Sequence, residues 1–339
     1  MKTLVTGATG LIGVHAAAAL IRSGHAVRVF VRDPSKVSRV LAPFGLDAAD
    51  VEVAQGDLED RASLDRALEG VTCLLHSAGL FSADRREEAR VQKANVDGTR
   101  FLLEATRDHS LERIVYVSSI LALFPPAGSV LSAEDQVKDP VEMYAATKAA
   151  AERLVRAAQK DRPITIVYPS AVQGPDDPTF SVGPQIVAEA LRQGEVLVTE
   201  GGLPTTDVRD LATVLVAVLE GRTDSRRLMG PSFYVRHDDY HRILERLTGR
   251  KLRVQKFPGW ALRGMGRLGD LSARLGRPVR LTYEAAQVLT RSVPVDDAEA
   301  RRLLGRPAID GERSFRDLID WMVAAGHLEA GFASGGAAR

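Results

Sequence analysis

"TGATGLIG", Thr6 to Gly13, sets three glycines at intervals of three directly behind the apolar run that opens the chain and at the head of a helix-period segment, Leu11 to Ser23. Each glycine has its own task there. The first permits a tight turn, the second lets backbone come close to a pyrophosphate, and the third lets the helix pack against its strand. The helix N-terminus meanwhile turns free amides and the positive end of its dipole toward the phosphates. Three glycines alone are weak evidence. Between a strand and a helix they specify a dinucleotide-binding turn built from Gly7, Thr9, Gly10, Leu11, Ile12 and Gly13.

The alternation continues outward from that turn. "AVRVFV", "VEVAQGD", "CLLHSAG", "RIVYVSS" and "ITIVYPS" are short runs rich in valine and isoleucine, separated by helix-period segments, so six strands fall within the first 170 residues. Nearly unbroken apolar strands joined by helices make a parallel sheet covered on both faces, an α/β doubly wound fold. Beyond Pro169 the rhythm fails. "QGPDDPTFSVGP" reads as a loop, "DVRDLATVLVAVLEG" as a helix returning to the sheet and "SRRLMGPSFYVR" as a late strand. His237 to Gly326 reads as mostly helical, with breaks at Pro258, Pro278, Pro294 and Pro307. The expected division is a dinucleotide-binding domain over 1–172, to which 205–236 returns; a smaller, discontinuous, mostly helical substrate domain over 173–204 and 237–328; and a disordered tail over 329–339.

With 339 residues, 45% of them hydrophobic, the chain has enough apolar mass for about two domains. Its 45 basic and 44 acidic side chains leave a formal charge of +1, so no broad positive field draws a nucleic acid or an anionic membrane, and a small-molecule partner is expected. Cys73, the single cysteine, has no partner for an internal disulfide and sits in the apolar "VTCLLH", which fits a reducing cytoplasm and offers no metal-ligand set. The N-terminus imitates a secretory signal, but its glycines and threonines belong to the turn. No run of about 18 apolar residues is present, so no membrane span is expected.

The spacing TGxxGxxG, in place of GxGxxG, resembles the extended branch of the short-chain dehydrogenase/reductase family, within the NAD-dependent epimerase/dehydratase superfamily, from Met1 to about Gly326. That resemblance implies a Rossmann fold. At the end of the second strand, where an acidic side chain would bond the free ribose 2'-hydroxyl of NAD, the chain has Val31 and then Arg32. A guanidinium suits a 2'-phosphate, so Arg32, helped by Lys36 or Arg39, predicts NADP(H) favoured over NAD(H). Asp33 is either an Asp-Pro turn residue or a partner of Arg32. "VRDPSK" looks like the corresponding segment of the dihydroflavonol reductase group, which uses NADP. The family further places Asp57 and Leu58 beside the adenine and Ser77, Ala78 and Gly79 behind the adenosine ribose and phosphates. Tyr168, Pro169, Ala171 and Val172 fall in the loop that carries the nicotinamide amide. His76 reads as a packed strand-end histidine and Asn95 as structural.

"MYAATKAAAERL", 143 to 154, sets Tyr144 one helical turn before Lys148, so both side chains leave the same face. "RIVYVSS" ends at the sheet edge where open parallel sheets hold ligands, and Ser119 precedes Tyr144 by 25 residues. Residue for residue this matches the family's Ser, Tyr and Lys set, with Ser118 as the alternative should the register slip by one. In the family's chemistry Tyr144 is the general acid in reduction and the base in oxidation, and Ser119 bonds the carbonyl oxygen. Lys148 is expected to hold the nicotinamide ribose and to favour the phenolate by its charge.

Ser119 is followed by Ile120, Leu121 and Ala122, without the acids that the family's dehydratases carry, and Tyr168 and Ala171 replace the arginine and asparagine of the sugar epimerases' "RPxNVYGP". The region from His237 onward resembles dihydroflavonol reductases and 3-beta-hydroxysteroid dehydrogenases. Phe257, Trp260, Leu262, Met265 and Leu268 recur there at helical spacing, as a packed helix, a lid over an apolar ligand, or a membrane-surface segment. The expected activity is hydride transfer between NADP(H) and a ketone or secondary alcohol of a moderately apolar small molecule. A nucleotide-sugar epimerase that retains its cofactor and a non-catalytic redox sensor are the alternatives. Dimers through helices near the Tyr144 segment are common in the family, which leaves a homodimer open.

Overall fold

The computed structural model describes residues 1–82, 84–274 and 281–333. Its first half alternates strand and helix: β1 (Lys2–Thr6), α1 (Leu11–Arg22), β2 (Ala26–Val31), α2 (Val37–Leu41), β3 (Glu52–Gln55), α3 (Arg61–Leu68), β4 (Cys73–His76), α4 (Glu88–Gln92), α5 (Gly98–Ala105), β5 (Arg113–Val117), α6 (Met143–Ala158) and β6 (Ile164–Tyr168). The second half follows as β7 (Ala171–Gln173), α7 (Val182–Gln193), β8 (Glu195–Val198), β9 (Gly202–Asp207), α8 (Val208–Leu219), β10 (Arg227–Met229), β11 (Phe233–Arg236), α9 (His237–Thr248), β12 (Arg253–Lys256), α10 (Gly259–Arg274), α11 (Tyr283–Thr290), α12 (Ala298–Leu304) and α13 (Gly311–Ala324).

The central sheet has the order β10-β6-β5-β4-β1-β2-β3. All its pairings are parallel, with Val5 opposite Val29 on one side and Leu75 on the other. Alternation along each strand splits its side chains between two cores. Val5, Leu75, Val115 and Val167 face α1 and α8, while Leu4, Leu74, Ile114 and Ile166 face α3, α5 and α6. Both faces are covered, which is why these strands read as continuous apolar runs. The strand order reverses between β1 and β4, so a crevice opens at their C-terminal ends, directly behind the glycine turn.

"SRRLMGPSFYVR" forms two strands in different sheets where one was expected. β10 joins the edge of the central sheet, and β11 pairs antiparallel with β9 in a separate sheet of order β11-β9-β7. The break is Gly230-Pro231: the Gly230 amide closes onto the Tyr168 carbonyl at 2.7 Å, and proline can give no further ladder bond. Within 205–236, α8 and β10 lie on the central sheet, while β9 and β11 belong to the small one. A third core gathers Val187 and Leu191 of α7, Leu244 and Leu247 of α9, and Phe315, Leu318 and Met322 of α13, with β8 and β12 paired at its edge. α12 instead packs its Leu303 and Leu304 into the core under α8.

The segment expected to be a disordered tail begins with a 3-10 turn, Ala330–Phe332. Phe332 is buried in the third core, with the Arg250 guanidinium 3.8 Å over its ring; residues 334–339 of that segment lie outside the described residues. No helix among the described residues is long and apolar enough to cross a membrane.

Candidate active site

Gly7 has φ +74°, and a Cβ on it would lie 2.6 Å from the Ala78 amide nitrogen, so this turn is pressed onto the end of β4 as only glycine allows. At Gly13 a Cβ would lie 2.2 Å from the Gly7 carbonyl, which fixes α1 against the turn. Gly10 differs from both. It is the N-cap of α1, and a Cβ there would meet nothing closer than 3.5 Å. The protein thus leaves open the one glycine that the motif reserves for a phosphate, in front of the unpaired first-turn amides of α1. Thr9, Leu11 and Ile12 lie in the same turn. Ser77 locks the neighbouring strand end by donating its hydroxyl to the Thr6 carbonyl at 2.8 Å, and Gly79 is exposed beside it.

At the end of β2 the Arg32 side chain is exposed and has no hydrogen-bond or ion-pair partner among the described residues. Asp33 is the turn residue and not Arg32's partner: its carboxylate accepts from the Ser35 amide at 3.1 Å and hydroxyl at 2.6 Å and pairs with Lys36 at 3.6 Å. Lys36 is thereby drawn to Asp33. At the end of β3, Asp57 accepts from the Glu59 amide at 3.1 Å, and Leu58 packs where Gly98 leaves room.

α6 and the end of β5 are joined residue by residue. The buried Lys148 ammonium donates to the Val117 carbonyl at 2.8 Å; Ser118 donates its hydroxyl to the fully buried Glu152 carboxylate at 2.5 Å; and the Ser119 hydroxyl faces the Tyr144 phenol. Three consecutive residues of the strand end are therefore held by three successive turns of one helix. Of the two serines, Ser119 is the one that meets Tyr144. Glu152 also accepts from the Tyr168 hydroxyl at 2.7 Å and from Arg156 at 2.8 Å.

The electrostatics depart from the sequence expectation. Burial pushes the half-buried Tyr144 phenol up to about 12, opposed by its hydrogen bond with Ser119, and Lys148 does not pull it down. The Lys148 ammonium is held by the Val117 carbonyl and lies 5.1 Å over the Tyr116 ring. Burial draws the ammonium itself down to about 8, opposed by the Glu152 carboxylate. Tyr144 is thus a neutral phenol near pH 7, with the exposed Phe81 ring edge-on to it at 4.9 Å.

His76 is buried and packed. Its Nε2 donates to Thr99 at 3.0 Å, since the Thr99 hydroxyl is itself donated to the Asn95 carbonyl, and its Nδ1 then accepts from Thr6 at 2.7 Å. Asn95 fixes the loop behind β4 to α6 by bonding both the amide and the carbonyl of Leu80 and the Thr147 hydroxyl.

The loop after β6 divides the residues grouped there from sequence. The Tyr168 ring is fully buried on the far side, its hydroxyl tied to Glu152 and Arg156, so only its backbone faces the crevice region. Pro169 accepts from the Ile120 amide at 3.2 Å, and Ala171 and Val172 form β7. Between them Ser170, which sequence reasoning passed over, has a buried hydroxyl without a partner among the described residues. An orphaned polar atom in that loop, an open Gly10 and a free Arg32 together fit a dinucleotide lying across the C-terminal edge of the sheet. Cavity size does not mark this site: a cavity of about 730 Å³ lined by Arg100, Arg107, Ile114 and Pro163 lies at the opposite, N-terminal ends of β5 and β6.

Glu152 was also missed. It lies four residues beyond Lys148 and eight beyond Tyr144 on one helix face, but the same spacing to Arg156 has the pattern of an exposed ion pair, so the sequence carries no distinct signal for it.

A glycine turn at a strand-order switch, with serine, tyrosine and lysine gathered at the same sheet edge, defines an enzyme of the short-chain dehydrogenase/reductase type. The chain belongs to the NAD dependent epimerase/dehydratase family, whose pattern it matches over residues 3–228. It is 30% identical to "Sterol demethylase protein B" of Methylococcus capsulatus over 97% of this chain and 100% of that one. To "Ceramide reductase" of Caulobacter vibrioides it is 33% identical, over 96% and 95%. Among solved structures, that titled "Crystal structure of gox2253" superimposes with a TM-score of 0.83 at 28% identity, covering 97% of this chain and 99% of the other.

Proposed function

We propose that the protein is an NADP(H)-preferring reductase of ketones on apolar, lipid-like molecules, working in the cytoplasm, with Tyr144 as proton donor. The observation that supports this is the grouping of Ser119, Tyr144 and Lys148 at the C-terminal end of β5, at the same edge of the central sheet as the glycine turn. When bound, the nicotinamide supplies the hydride. The carbonyl oxygen accepts from Ser119 and takes the Tyr144 proton as charge develops on it, and water is kept from the phenol by Phe81. Lys148 would hold the nicotinamide ribose, the Ser170 hydroxyl would take a polar group of the cofactor, and Arg32 would grip the 2'-phosphate of NADP. The substrate class is supported by the relatives named for a sterol and a ceramide, and by the exposed Phe81 ring against Tyr144. A homodimer is compatible with this reading.

The experiment is a panel of carbonyl compounds, from short ketones to 3-oxo lipids, assayed with NADPH and with NADH. NADPH should be consumed in stoichiometric amounts, whereas an epimerase that keeps its cofactor would consume none. Tyr144→Phe should lower turnover by roughly a hundredfold to ten-thousandfold while dinucleotide binding persists. Arg32→Ala should raise KM for NADPH about tenfold to a hundredfold and leave that for NADH unchanged, the loss expected for charge-assisted hydrogen bonds. Equal use of both cofactors by the unaltered enzyme would refute the role of Arg32.

A further inference from the structure

α10 turns its apolar residues outward. Leu262 is buried, and Gly266 lies against α11, where a Cβ would come within 2.6 Å of the Thr282 carbonyl. On the opposite side Trp260 is 74% exposed, Leu268 66%, Leu271 54% and Met265 49%. Trp260, Leu268 and Leu271 fall at helical spacing on one side of α10, with Gly264 between them and Met265 at the margin, so these side chains form a single exposed face along the helix. The residues grouped from sequence as packing or lid therefore separate: Leu262 packs, while Trp260, Met265 and Leu268 face solvent.

The charge around the stripe has one sign on its outer side. Asp270, the single acid on α10, turns inward and accepts from the Tyr283 amide at 3.3 Å. Arg263 is drawn to Glu200, Arg253 to Glu195 and Lys251 to Glu245. Lys256 at the foot of the helix and Arg267 beside Leu268 are exposed and have no acidic partner among the described residues; the Arg267 guanidinium lies 4.9 Å over the Tyr283 ring. The chain as a whole has no positive field, so the complementarity to anions is local to this face.

The stripe's extent favours one occupant. Four side chains from a single helix fall well short of the ~800 Å² per partner that a stable protein interface buries, so neither a second copy nor a folded protein is well matched. An amphipathic helix with a tryptophan at one end and exposed cations without acidic partners among the described residues beside its apolar face matches the boundary of an anionic bilayer, where about 5–10 Å of insertion suffices.

The position gives the contact a consequence. α11, against which α10 packs, caps the Tyr144 helix: the Glu284 carboxylate accepts from the Val141 amide at 2.6 Å and the Glu142 amide at 3.2 Å, and Thr282 donates to the Glu142 carboxylate. We propose that the outer face of α10 docks on an anionic lipid surface, with Trp260, Leu268 and Leu271 in the headgroup boundary, and that apolar substrate enters toward Tyr144 from that side. The entry half of the proposal rests on the functional reading above; the docking half stands on the stripe alone.

The test uses the full-length chain and sedimentation with vesicles of phosphatidylcholine, with and without phosphatidylglycerol. In a Trp321→Phe background, which leaves Trp260 as the single tryptophan, binding should shift Trp260 emission to the blue. The chain should sediment with the phosphatidylglycerol vesicles, and Leu268→Gln combined with Leu271→Gln should weaken this at least about tenfold with the thermal midpoint unchanged. Lys256→Gln with Arg267→Gln should abolish the preference for the anionic vesicles. No sedimentation with either vesicle, or a dimer in solution that the double leucine variant splits, overturns the docking. Vesicle binding without any carbonyl reduction leaves the docking standing and removes the functional reading. Reduction of a soluble ketone without vesicle binding does the reverse.

Discussion

Glu152 is a carboxylate with no exposed surface, and both of its oxygens meet donors: Ser118 on one, Tyr168 and Arg156 on the other. Breaking such a buried pair leaves charge without a partner, so Glu152→Ala should lower unfolding free energy by about 3–5 kcal/mol in a urea titration. Glu152→Gln keeps an acceptor for Ser118 and should cost clearly less. If both variants unfold at the same urea concentration as the parent, the carboxylate does not hold β5 to α6. Sequence showed Ser119, Tyr144 and Lys148 because their chemistry is unusual at that spacing. Glu152 was invisible for the opposite reason: a glutamate followed four residues later by an arginine on an alanine-rich helix has the pattern of an exposed ion pair. Burial cancels that appearance and no local pattern announces it. Tyr168 misleads similarly, since its place in the loop motif says nothing of the side of the sheet its ring takes.

The glycine turn was legible as an element because each glycine answers to a backbone requirement within eight residues. The structure separates those requirements into two kinds, and substitution should too. Gly13→Ala drives a Cβ into the Gly7 carbonyl, backbone against backbone, and should cost about 1–3 kcal/mol or more of stability. Gly10→Ala meets no protein atom closer than 3.5 Å and has φ −102°, so stability should change by less than about 1 kcal/mol. Dinucleotide binding, followed by calorimetry, should nevertheless fall sharply in Gly10→Ala. A Gly10→Ala protein that binds as the parent does would show that the cofactor lies elsewhere. β10 and β11 were less legible, because two strands of three and four residues hold too few alternations to declare which sheet each will join.

At the scale of the molecule, what sequence lacked were contacts between irregular segments far apart in the chain, which have no period. Leu131 bridges Val295, and the Ile309 amide donates to Asp210 at 2.7 Å. His15 is another such tie. It leaves α1, packs edge-on to Phe44 at 4.8 Å, and donates Nε2 to the Pro175 carbonyl at 3.0 Å, joining α1 to the loop that leads into the third core. Burial lowers it to about 4, against the raising effect of the Pro175 carbonyl, and burial lowers His76 to about 3, with Lys148 adding to the lowering. Both rings are neutral when folded, while the unfolded chain takes up their protons near 6.5, so below that pH the unfolded state binds more protons and gains. Stability should therefore be full above pH ~6.5 and decline as pH falls through 4, with His15 accounting for up to about 3 kcal/mol. His15→Gln keeps a donor for Pro175 and cannot be protonated. In urea titrations at a series of pH values its curve should be flatter than the parent's between ~6.5 and 4, and the two should run parallel below, where His76 and the carboxylates, common to both proteins, titrate. Curves that stay parallel across the whole range would mean that the α1 tie opens before it is protonated, and that acid reaches the fold by another route.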